Sequence, residues 1–282
     1  MFTERTFPAK GLDLNGAVGP GHGPPLWLFH GLARRWQDFT PLLAELSARW
    51  TVTAIDHRGH GRSPRAAGRY LVTDYVTDAV AALRAAAEPA VLVGHSLGAL
   101  VALGTAQRVP TLVRAVVLLD PPGAGFLGRV RATPYHAMWA GMRPLAGGQP
   151  VPDVARKLAA LQLPGPRPGQ TVRLGDLRDA AALRWMAKCL HDTDPDALGP
   201  PTEGRWLDGF DPLAAAAQVR CPAILVAADP NRGGMLPPGD AAALAAALAD
   251  CTRVDLPGVG HLIHWQDTAA TLRLLHGFLG SL

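Results

Sequence analysis

Residues 91–99 read Val-Leu-Val-Gly-His-Ser-Leu-Gly-Ala, and this stretch decides the fold of the chain. An apolar run typical of a buried strand stops at Gly94, and a helix-like apolar pattern starts after Ser96. Between them stands Gly-x-Ser-x-Gly, the sequence of a nucleophile elbow, which is a sharp strand–turn–helix connection. We predict that Gly94 and Gly98 leave room for this turn, that the Ser96 backbone is strained, and that its hydroxyl stands above the helix N-terminus.

Short apolar runs alternate with helical patterns on both sides of this stretch. We predict an opening hairpin at 2–7 and 12–18, buried strands at 26–29, 50–55, 113–120, 223–229 and 253–256, and helices at 39–48, 70–87, 100–108, 240–249 and 268–279. Such alternation is typical of βαβ units, so the expected fold is α/β, with a mostly parallel sheet and helices on both faces. Ligands bind at the carboxyl ends of the strands in such sheets. His30, Asp56, Ser96 and Asp120 all follow strand ends and are expected at this edge.

The alternation is interrupted between Pro121 and Asp211, where the sequence has no strong strand. Proline and glycine cluster at 163–169, and helix-like pieces lie near 130–141, 154–161 and 179–190. We therefore expect a core domain of residues 1–120 and 212–282, with a helical cap inserted at 121–211. The methionine and tryptophan residues of the cap either line an apolar substrate pocket or form the cap's own small core.

The 282 residues suit one domain with an insertion, and a hydrophobic fraction of 48% allows a large core. No apolar run approaches the ~20 residues that span a bilayer, and no secretory signal is visible. Cys189, Cys221 and Cys251 are widely spaced and odd in number, which favours the reducing cytoplasm over a disulfide framework. The net charge of +4 comes from scattered arginines, so neither a nucleic-acid nor a membrane partner is expected. A homodimer remains an open alternative.

The chain also supplies the residue types that nucleophilic catalysis needs. A serine hydroxyl becomes an effective nucleophile when an imidazole removes its proton, and the imidazole later gives that proton to the leaving group. Ser96 is the candidate nucleophile, and His261, in a glycine-rich loop after the last strand, is the candidate base. A carboxylate must orient the imidazole. The chain order Ser-Asp-His favours Asp229 for this role, with Asp120 as the alternative and Asn231 as a third, uncharged one.

Two backbone N–H groups are the usual means of stabilising the oxyanion that forms in acyl transfer, and losing one costs roughly 3–4 kcal/mol. The first should come from Leu97, which follows the candidate nucleophile. The second should come from the loop that begins His30-Gly31 after a buried strand, and Leu32 is the expected donor. A glycine in this loop allows the backbone to approach closely.

The glycine-rich loop at 56–64 carries several charged and imidazole side chains. Asp56 and Arg58 are expected to stabilise the loop rather than take part in chemistry. His57 and His60 would be metal ligands only with a third partner, and the sequence offers none nearby.

Another histidine, His264, stands three residues after His261 and is expected to support the site or to pack beside Trp265. Arg34 and Arg35, beside the oxyanion loop, are candidates for binding a substrate carboxylate. We favour solvated side chains for both arginines.

Together these features resemble the α/β-hydrolase superfamily over nearly the whole chain. The resemblance rests on His30-Gly31 after the third strand, the loop at 56–63, the elbow, the cap, and Gly260-His261 near the end. It implies serine hydrolase chemistry without a cofactor or a metal, with Ser96 as nucleophile, His261 as base, and Leu32 and Leu97 as oxyanion donors. It departs from the pattern at the acid, because Ala228 and Asn231 stand where many relatives carry glycine and aspartate.

A serine at position 96 argues against haloalkane dehalogenase or epoxide hydrolase chemistry, which needs a carboxylate nucleophile. The capped layout, similar to that of 3-oxoadipate enol-lactonase, implies a small or medium apolar ester or lactone as substrate. Two other functions stay open: a C–C bond hydrolase or lyase that uses the same triad, and a ligand receptor that has this fold without catalysis.

Overall fold

The structure is a computed structural model that describes residues 1–165, 167 and 169–282. Pro166 and Pro168 of the predicted proline and glycine cluster lie outside the described residues. Within the described ranges the chain forms ten strands: β1 (Thr3–Ala9), β2 (Leu12–Val18), β3 (Pro25–Phe29), β4 (Thr51–Ile55), β5 (Ala90–His95), β6 (Val113–Leu119), β7 (Gln162–Pro164), β8 (Thr171–Arg173), β9 (Ala223–Ala228) and β10 (Cys251–Leu256). Eight of them form one sheet in the order β1-β2-β4-β3-β5-β6-β9-β10.

The sheet is mostly parallel, as the sequence predicts. β1 and β2 form the expected antiparallel hairpin, and β2 also runs antiparallel to β4. Every pair of neighbours from β4 to β10 is parallel. Successive residues of a strand point to opposite faces, and β3 shows the result. Leu26 and Leu28 pack into the core on one face of the sheet, while Trp27 and Phe29 pack into the core on the other.

Helices cover both faces of the sheet. Within the described part of the chain they are α1 (Thr40–Ser47), α2 (Val72–Ala86), α3 (Leu97–Arg108), α4 (Ala124–Gly128), α5 (Pro134–Met142), α6 (Val151–Ala160), α7 (Leu174–Leu177), α8 (Ala180–His191), α9 (Gly199–Glu203), α10 (Pro212–Ala216), α11 (Pro238–Ala247), α12 (Ile263–Gln266) and α13 (Thr268–Leu279). Buried residues of α2, α3, α10 and α11 join one core, and those of α1, α12 and α13 join the other. None of the helices described is both long and apolar enough to cross a bilayer.

The segment 121–211 contains α4 to α9, and it also contains the antiparallel hairpin β7–β8. The sequence predicted no strong strand in this segment, and the structure adds a short hairpin that the sequence pattern does not indicate. Each strand of the hairpin has only three residues, too few for an alternating pattern to be recognised. The segment joins the core at Arg35, whose Nη1 lies 2.7 Å from Asp192 Oδ2. The sequence suggested that Arg35 is solvated, but the structure shows that its side chain is buried in an ion pair.

Candidate active site

Ser96 connects β5 to α3 in the sharp turn that the sequence predicts. Its φ of 55° and ψ of −120° lie in a strained region of backbone conformation. A Cβ atom on Gly94 would stand 2.1 Å from the carbonyl oxygen of Gly98, and one on Gly98 would stand 1.9 Å from that of Phe29. Both positions therefore require glycine. The turn places Ser96 at the N-terminus of α3 and in the wall of a cavity.

The carboxylate that contacts His261 is that of Asp120. Its Oδ2 lies 2.6 Å from Nδ1 of His261, and the aspartate is completely buried. The backbone N–H of Ala228 donates to Oδ1 at 3.0 Å, and that of Met235 donates to Oδ2 at 2.8 Å. These fixed donors keep the carboxylate in place. Because an ionised carboxylate only accepts, His261 carries its proton on Nδ1 and leaves Nε2 free to accept one.

The prediction that Asp229 orients His261 is wrong. The partly exposed Asp229 carboxylate accepts hydrogen bonds from the backbone N–H groups of Asn231 and Gly258, each at 2.8 Å. Its own N–H donates to the carbonyl of Val259 at 2.7 Å. The two N–H donors, Gly258 first, hold the pKa of the Asp229 carboxyl below its ordinary value. Asp229 therefore fixes the loop that carries His261 to the end of β9, and Asn231 contributes its backbone rather than an orienting side chain.

The candidate oxyanion donors both lie near Ser96. Leu97 is the first residue of α3, and Leu32 lines the same cavity as Ser96. The loop that carries Leu32 presses against the elbow, because a Cβ atom on Gly31 would stand 3.2 Å from Cβ of Ser96. The fold therefore brings both predicted backbone positions next to the candidate nucleophile.

Buried imidazoles fix this loop from the other side. His60 accepts a hydrogen bond from the N–H of Ala33 at 3.1 Å and donates from Nδ1 to the carbonyl of Arg58 at 2.8 Å. His30 accepts from the N–H of His57 at 3.0 Å. An accepting ring nitrogen must be unprotonated, and burial lowers the pKa of His60 to about 4 and that of His57 to about 3. These rings support the loop as neutral groups, and both nitrogens of His60 are occupied by the backbone.

Asp56 and Arg58 stabilise their loop, as predicted. Asp56 accepts hydrogen bonds from the backbone N–H groups of Trp36 at 2.7 Å and Arg62 at 3.0 Å. The guanidinium of Arg58 forms a two-pronged pair with Asp78, with both N···O distances at 2.6 Å. Such bidentate pairs are geometrically specific, so they hold the loop at one position beside the sheet.

Within the described residues, one group of side chains lies close enough together to be considered as a metal site. Its members are Asp38, His95 and His264, whose potential ligand atoms lie within 4.8 Å of one another. The Asp38 carboxylate already accepts from His264 Nε2 at 3.1 Å and Trp265 Nε1 at 3.2 Å. Burial alone would raise the pKa of Asp38, but the Arg34 guanidinium and the His264 hydrogen bond hold it well below its ordinary range. The arrangement is that of a buried anion surrounded by donors, and a cation would have to displace them.

His95, the residue before the candidate nucleophile, contacts the loop of the candidate base. Its Nε2 lies 2.8 Å from the backbone carbonyl oxygen of His261, and the two ring centroids are 4.6 Å apart. Burial holds the pKa of His95 well below its ordinary value, so the ring is neutral and Nε2–H donates to the carbonyl. This role could not be predicted from the sequence, because any residue can occupy the second position of an elbow.

A cavity of about 70 Å³ lies against Ser96 and His261. The segment 121–211 supplies six of its lining residues: Tyr135, Met138, Trp139, Met142, Arg178 and Met186. The hydroxyl of Tyr135 donates to the carbonyl of Gly233 at 2.5 Å. These methionines line the cavity, as one interpretation expected, while Trp206 is buried in the core cluster that this segment shares with the sheet. Arg34 and Arg178 add positive charge to an otherwise mostly apolar lining.

The family model described as "Alpha/beta hydrolase family" matches residues 20–274. The chain belongs to the alpha/beta hydrolase family. This alpha/beta hydrolase is 30% identical over 276 residues to 2-(acetamidomethylene)succinate hydrolase of Mesorhizobium japonicum, which covers 92% of this chain and 89% of that protein. The predicted fold class and superfamily are thereby confirmed.

Solved structures show the same fold for this alpha/beta hydrolase. The crystal structure of E-2-(acetamidomethylene)succinate hydrolase matches with a TM-score of 0.76 at 25% identity, over 99% of this chain and all 100% of that one. The enol-lactonase from Burkholderia xenovorans matches with a TM-score of 0.71 at 18% identity, over 98% and 100% of the two chains. At that identity, the second likeness concerns the fold alone.

Proposed function

We propose that this alpha/beta hydrolase is a serine hydrolase that cleaves a carboxylic ester or a lactone through an acyl-enzyme on Ser96. The observation that carries the proposal is the 2.6 Å contact between His261 and Asp120 in the wall of the cavity that Ser96 also lines. A buried carboxylate on Nδ1 fixes the tautomer in which Nε2 accepts a proton. In this proposal Ser96 is the nucleophile, His261 the general base, and Asp120 the orienting acid.

The first half of the reaction forms the acyl-enzyme. His261 Nε2 takes the proton of Ser96 as Oγ bonds to the acyl carbon, and the carbonyl electron pair moves onto oxygen. The backbone N–H groups of Leu32 and Leu97 stabilise this oxyanion. When the carbonyl re-forms, the C–O bond of the ester breaks, and the imidazolium gives its proton to the leaving alkoxide.

The second half releases the acid. A water molecule gives a proton to His261 and attacks the acyl carbon, and Ser96 recovers its proton as it leaves. Within the described residues, the Ser96 hydroxyl forms no hydrogen bond. Catalytic hydrogen bonds are often long before substrate binds and shorten in the complex, so a bound substrate would complete the alignment with His261.

The names of the relatives support acyl chemistry, but they do not determine which type of bond this protein cleaves, and this has to be tested. The enol-lactonase shares the fold, and at 18% identity this likeness says nothing about the substrate. The relative 2-(acetamidomethylene)succinate hydrolase bears a name that denotes neither an ester nor a lactone, which favours a second candidate: hydrolysis of another acyl or carbon–carbon bond by the same three residues. The buried carboxylate on His261 supports catalysis over a receptor without catalysis.

Labelling and turnover together test the proposal. A fluorophosphonate should label the wild-type protein at Ser96 and leave Ser96→Ala unlabelled, because only an activated serine attacks phosphorus readily. A screen of p-nitrophenyl esters of graded chain length, together with lactones, should then give turnover that Ser96→Ala abolishes. Equal turnover by Ser96→Ala, or no labelling of the wild-type protein, would overturn the proposal.

A further inference from the structure

Two arginines occupy the junction between two cavities. The cavity at Ser96 adjoins an outer cavity of about 390 Å³, and the two share Arg34, Arg178, Met186 and Leu262 in their walls. We call this set of four shared residues the neck. A substrate that reaches from Ser96 into the outer cavity would contact residues of the neck.

Both arginines of the neck have donors to spare. Within the described ranges, the Arg34 guanidinium makes no hydrogen bond, although its side chain is only 13% exposed. Its nearest carboxylate, Asp38, is 3.7 Å away and already receives hydrogen bonds from other side chains. In the part of the chain that the structure describes, Arg178 donates one hydrogen bond, from Nη1 to the carbonyl of Leu177 at 3.2 Å. Arg178 is exposed to solvent, whereas the Arg34 guanidinium is largely buried in a mostly apolar lining. A buried cation that makes no hydrogen bond is unfavourable, so the neck is suited to an anion beside Arg34, to which Arg178 can add further donors.

Asp179, the acidic residue beside the neck, does not serve as the anion that the two arginines would bind. Asp179 lines the outer cavity, but its Oδ1 accepts the backbone N–H of Ala182 at 2.7 Å and thereby caps α8. Carboxylates at this position of a helix are stabilised by the helix dipole. Arg34 and Arg178 therefore remain the charged groups that a ligand meets between the two cavities.

Resting on the proposed function, we propose that the substrate carries a carboxylate at the end remote from the scissile bond, which Arg34 and Arg178 bind in the neck. Arginine guanidinium groups match a carboxylate with parallel N–H donors. The apolar wall formed by Met138 and Met142 then contacts the hydrocarbon between the two ends. The substrate class is thus a half-ester of a dicarboxylic acid, or an ester of a hydroxy acid, rather than a wholly apolar ester.

Matched esters test this proposal on both sides of the scissile bond. On the acyl side, monomethyl succinate, glutarate and adipate are compared with methyl ketone isosteres in which the carboxylate is replaced by an acetyl group. On the alcohol side, 4-acetoxybutanoate is compared with its own methyl ketone isostere. The wild-type enzyme should prefer the acid of at least one pair at least tenfold in kcat/KM, and the preference should weaken with ionic strength.

Variants of the neck locate the preference. Arg178→Gln should lower the ratio of kcat/KM between acid and isostere at least tenfold, mainly through KM. Arg34→Gln should do the same, and Arg34→Lys, which keeps a charge beside Asp38, should restore part of the ratio if the protein is folded. Arg184→Gln is the matched control, because Arg184 is exposed on α8 and lies in neither cavity wall. An unchanged ratio in Arg178→Gln, or no acid preference in the wild type, would overturn the proposal.

A binding measurement separates this proposal from the proposed function. Trp185 and Trp265 line the outer cavity, so their fluorescence should change when glutarate or monomethyl glutarate binds to Ser96→Ala. If no ester is hydrolysed by the wild type but glutarate binds, and Arg178→Gln weakens binding tenfold, the neck is an anion site and the hydrolytic proposal has failed alone. If esters are hydrolysed but glutarate does not bind, the neck proposal has failed alone.

Discussion

Asp120 reaches His261 across the end of an intervening strand. Asp120 follows β6, His261 follows β10, and β9 lies between these two strands in the sheet. The 2.6 Å contact of Asp120 Oδ2 with Nδ1 is possible because Asp120 has a φ of 44° and accepts the N–H of Ala228 at the end of β9. The acid therefore stands beside β5, the strand that carries Ser96.

This geometry predicts that Asp120→Asn loses most of the activity. An amide in place of the carboxylate favours the wrong tautomer of His261, and such a change costs roughly 10⁴-fold in kcat in a serine triad. Asp229→Asn should lose less than about tenfold, since it weakens only the support of the His261 loop. Steady-state hydrolysis by both variants, with circular dichroism to check folding, measures the difference. Greater loss in Asp229→Asn would return the acid role to that residue.

The elbow predicts that Gly98→Ala is not tolerated. Its Cβ atom would lie 1.9 Å from the Phe29 carbonyl oxygen, and the backbone there belongs to the central strand β3. Overpacking of this kind should cost about 3 kcal/mol or more of unfolding free energy. Gly239→Ala in α11 is the control, because nothing lies within 4 Å of the added atom and alanine favours a helix by about 1 kcal/mol. Urea denaturation compares the two, and equal stability would contradict the geometry.

The neutral imidazoles predict that stability falls in mild acid. Burial lowers the pKa of His57 from 6.5 to about 3, so between these values the unfolded chain binds a proton that the folded chain does not. Above pH 6.5 the histidine is unprotonated in both the folded and the unfolded state, so its contribution to the free energy of unfolding is fully present. As the pH falls below 6.5, each such histidine removes about 1 kcal/mol per pH unit, until the folded form is protonated near pH 3.

The comparison of slopes isolates this histidine from the other titrating groups. His57→Gln retains a donor for the carbonyl of His30, 3.1 Å from the imidazole Nε2. It should reduce the dependence of unfolding free energy on pH between 4 and 6.5 by about 1 kcal/mol per pH unit. His22→Gln, at an exposed position, should leave the slope as in the wild type. Parallel curves for all three proteins would show that His57 is charged in the folded state.

We predict that His95 positions His261 and takes no direct part in the reaction. His95→Phe keeps an aromatic ring but leaves the carbonyl of His261 without its donor, which should lower kcat by roughly 10- to 100-fold through misplacement of His261. His95→Gln, whose amide can donate to the same carbonyl, should recover part of this loss. The measurement is kcat together with KM, and KM should change little. Equal activity of His95→Phe and the wild type would exclude the role.

The sequence alone was sufficient for the fold and for the position of Ser96. Buried strands such as β5 and β9 are continuous apolar runs, and only a glycine-flanked turn joins β5 to α3 without collision. Both signals are local, so they can be recognised without knowing which strands are neighbours.

The acid could not be assigned in this way. Asp120 and Asp229 both follow buried strands, and the difference lies in the order of the strands and in the positive φ of Asp120. The arginines show the same limit, because Arg34 and Arg35 are adjacent in sequence, yet one faces the cavity and the other pairs with Asp192. The sequence around Arg178 does not predict its place in the cavity wall, since this residue belongs to the segment 121–211, where the alternation of strands and helices is interrupted.

The members of the site differ in how deeply they are anchored. Ser96 and Asp120 follow neighbouring strands in the middle of the sheet, whereas His261 is held by a loop behind β10, an edge strand whose residues are partly exposed. Segments at an edge open locally at lower free energy than the central strands. Moderate heating would therefore detach the imidazole first and leave the rest of the sheet intact, so that early thermal inactivation is reversed on cooling.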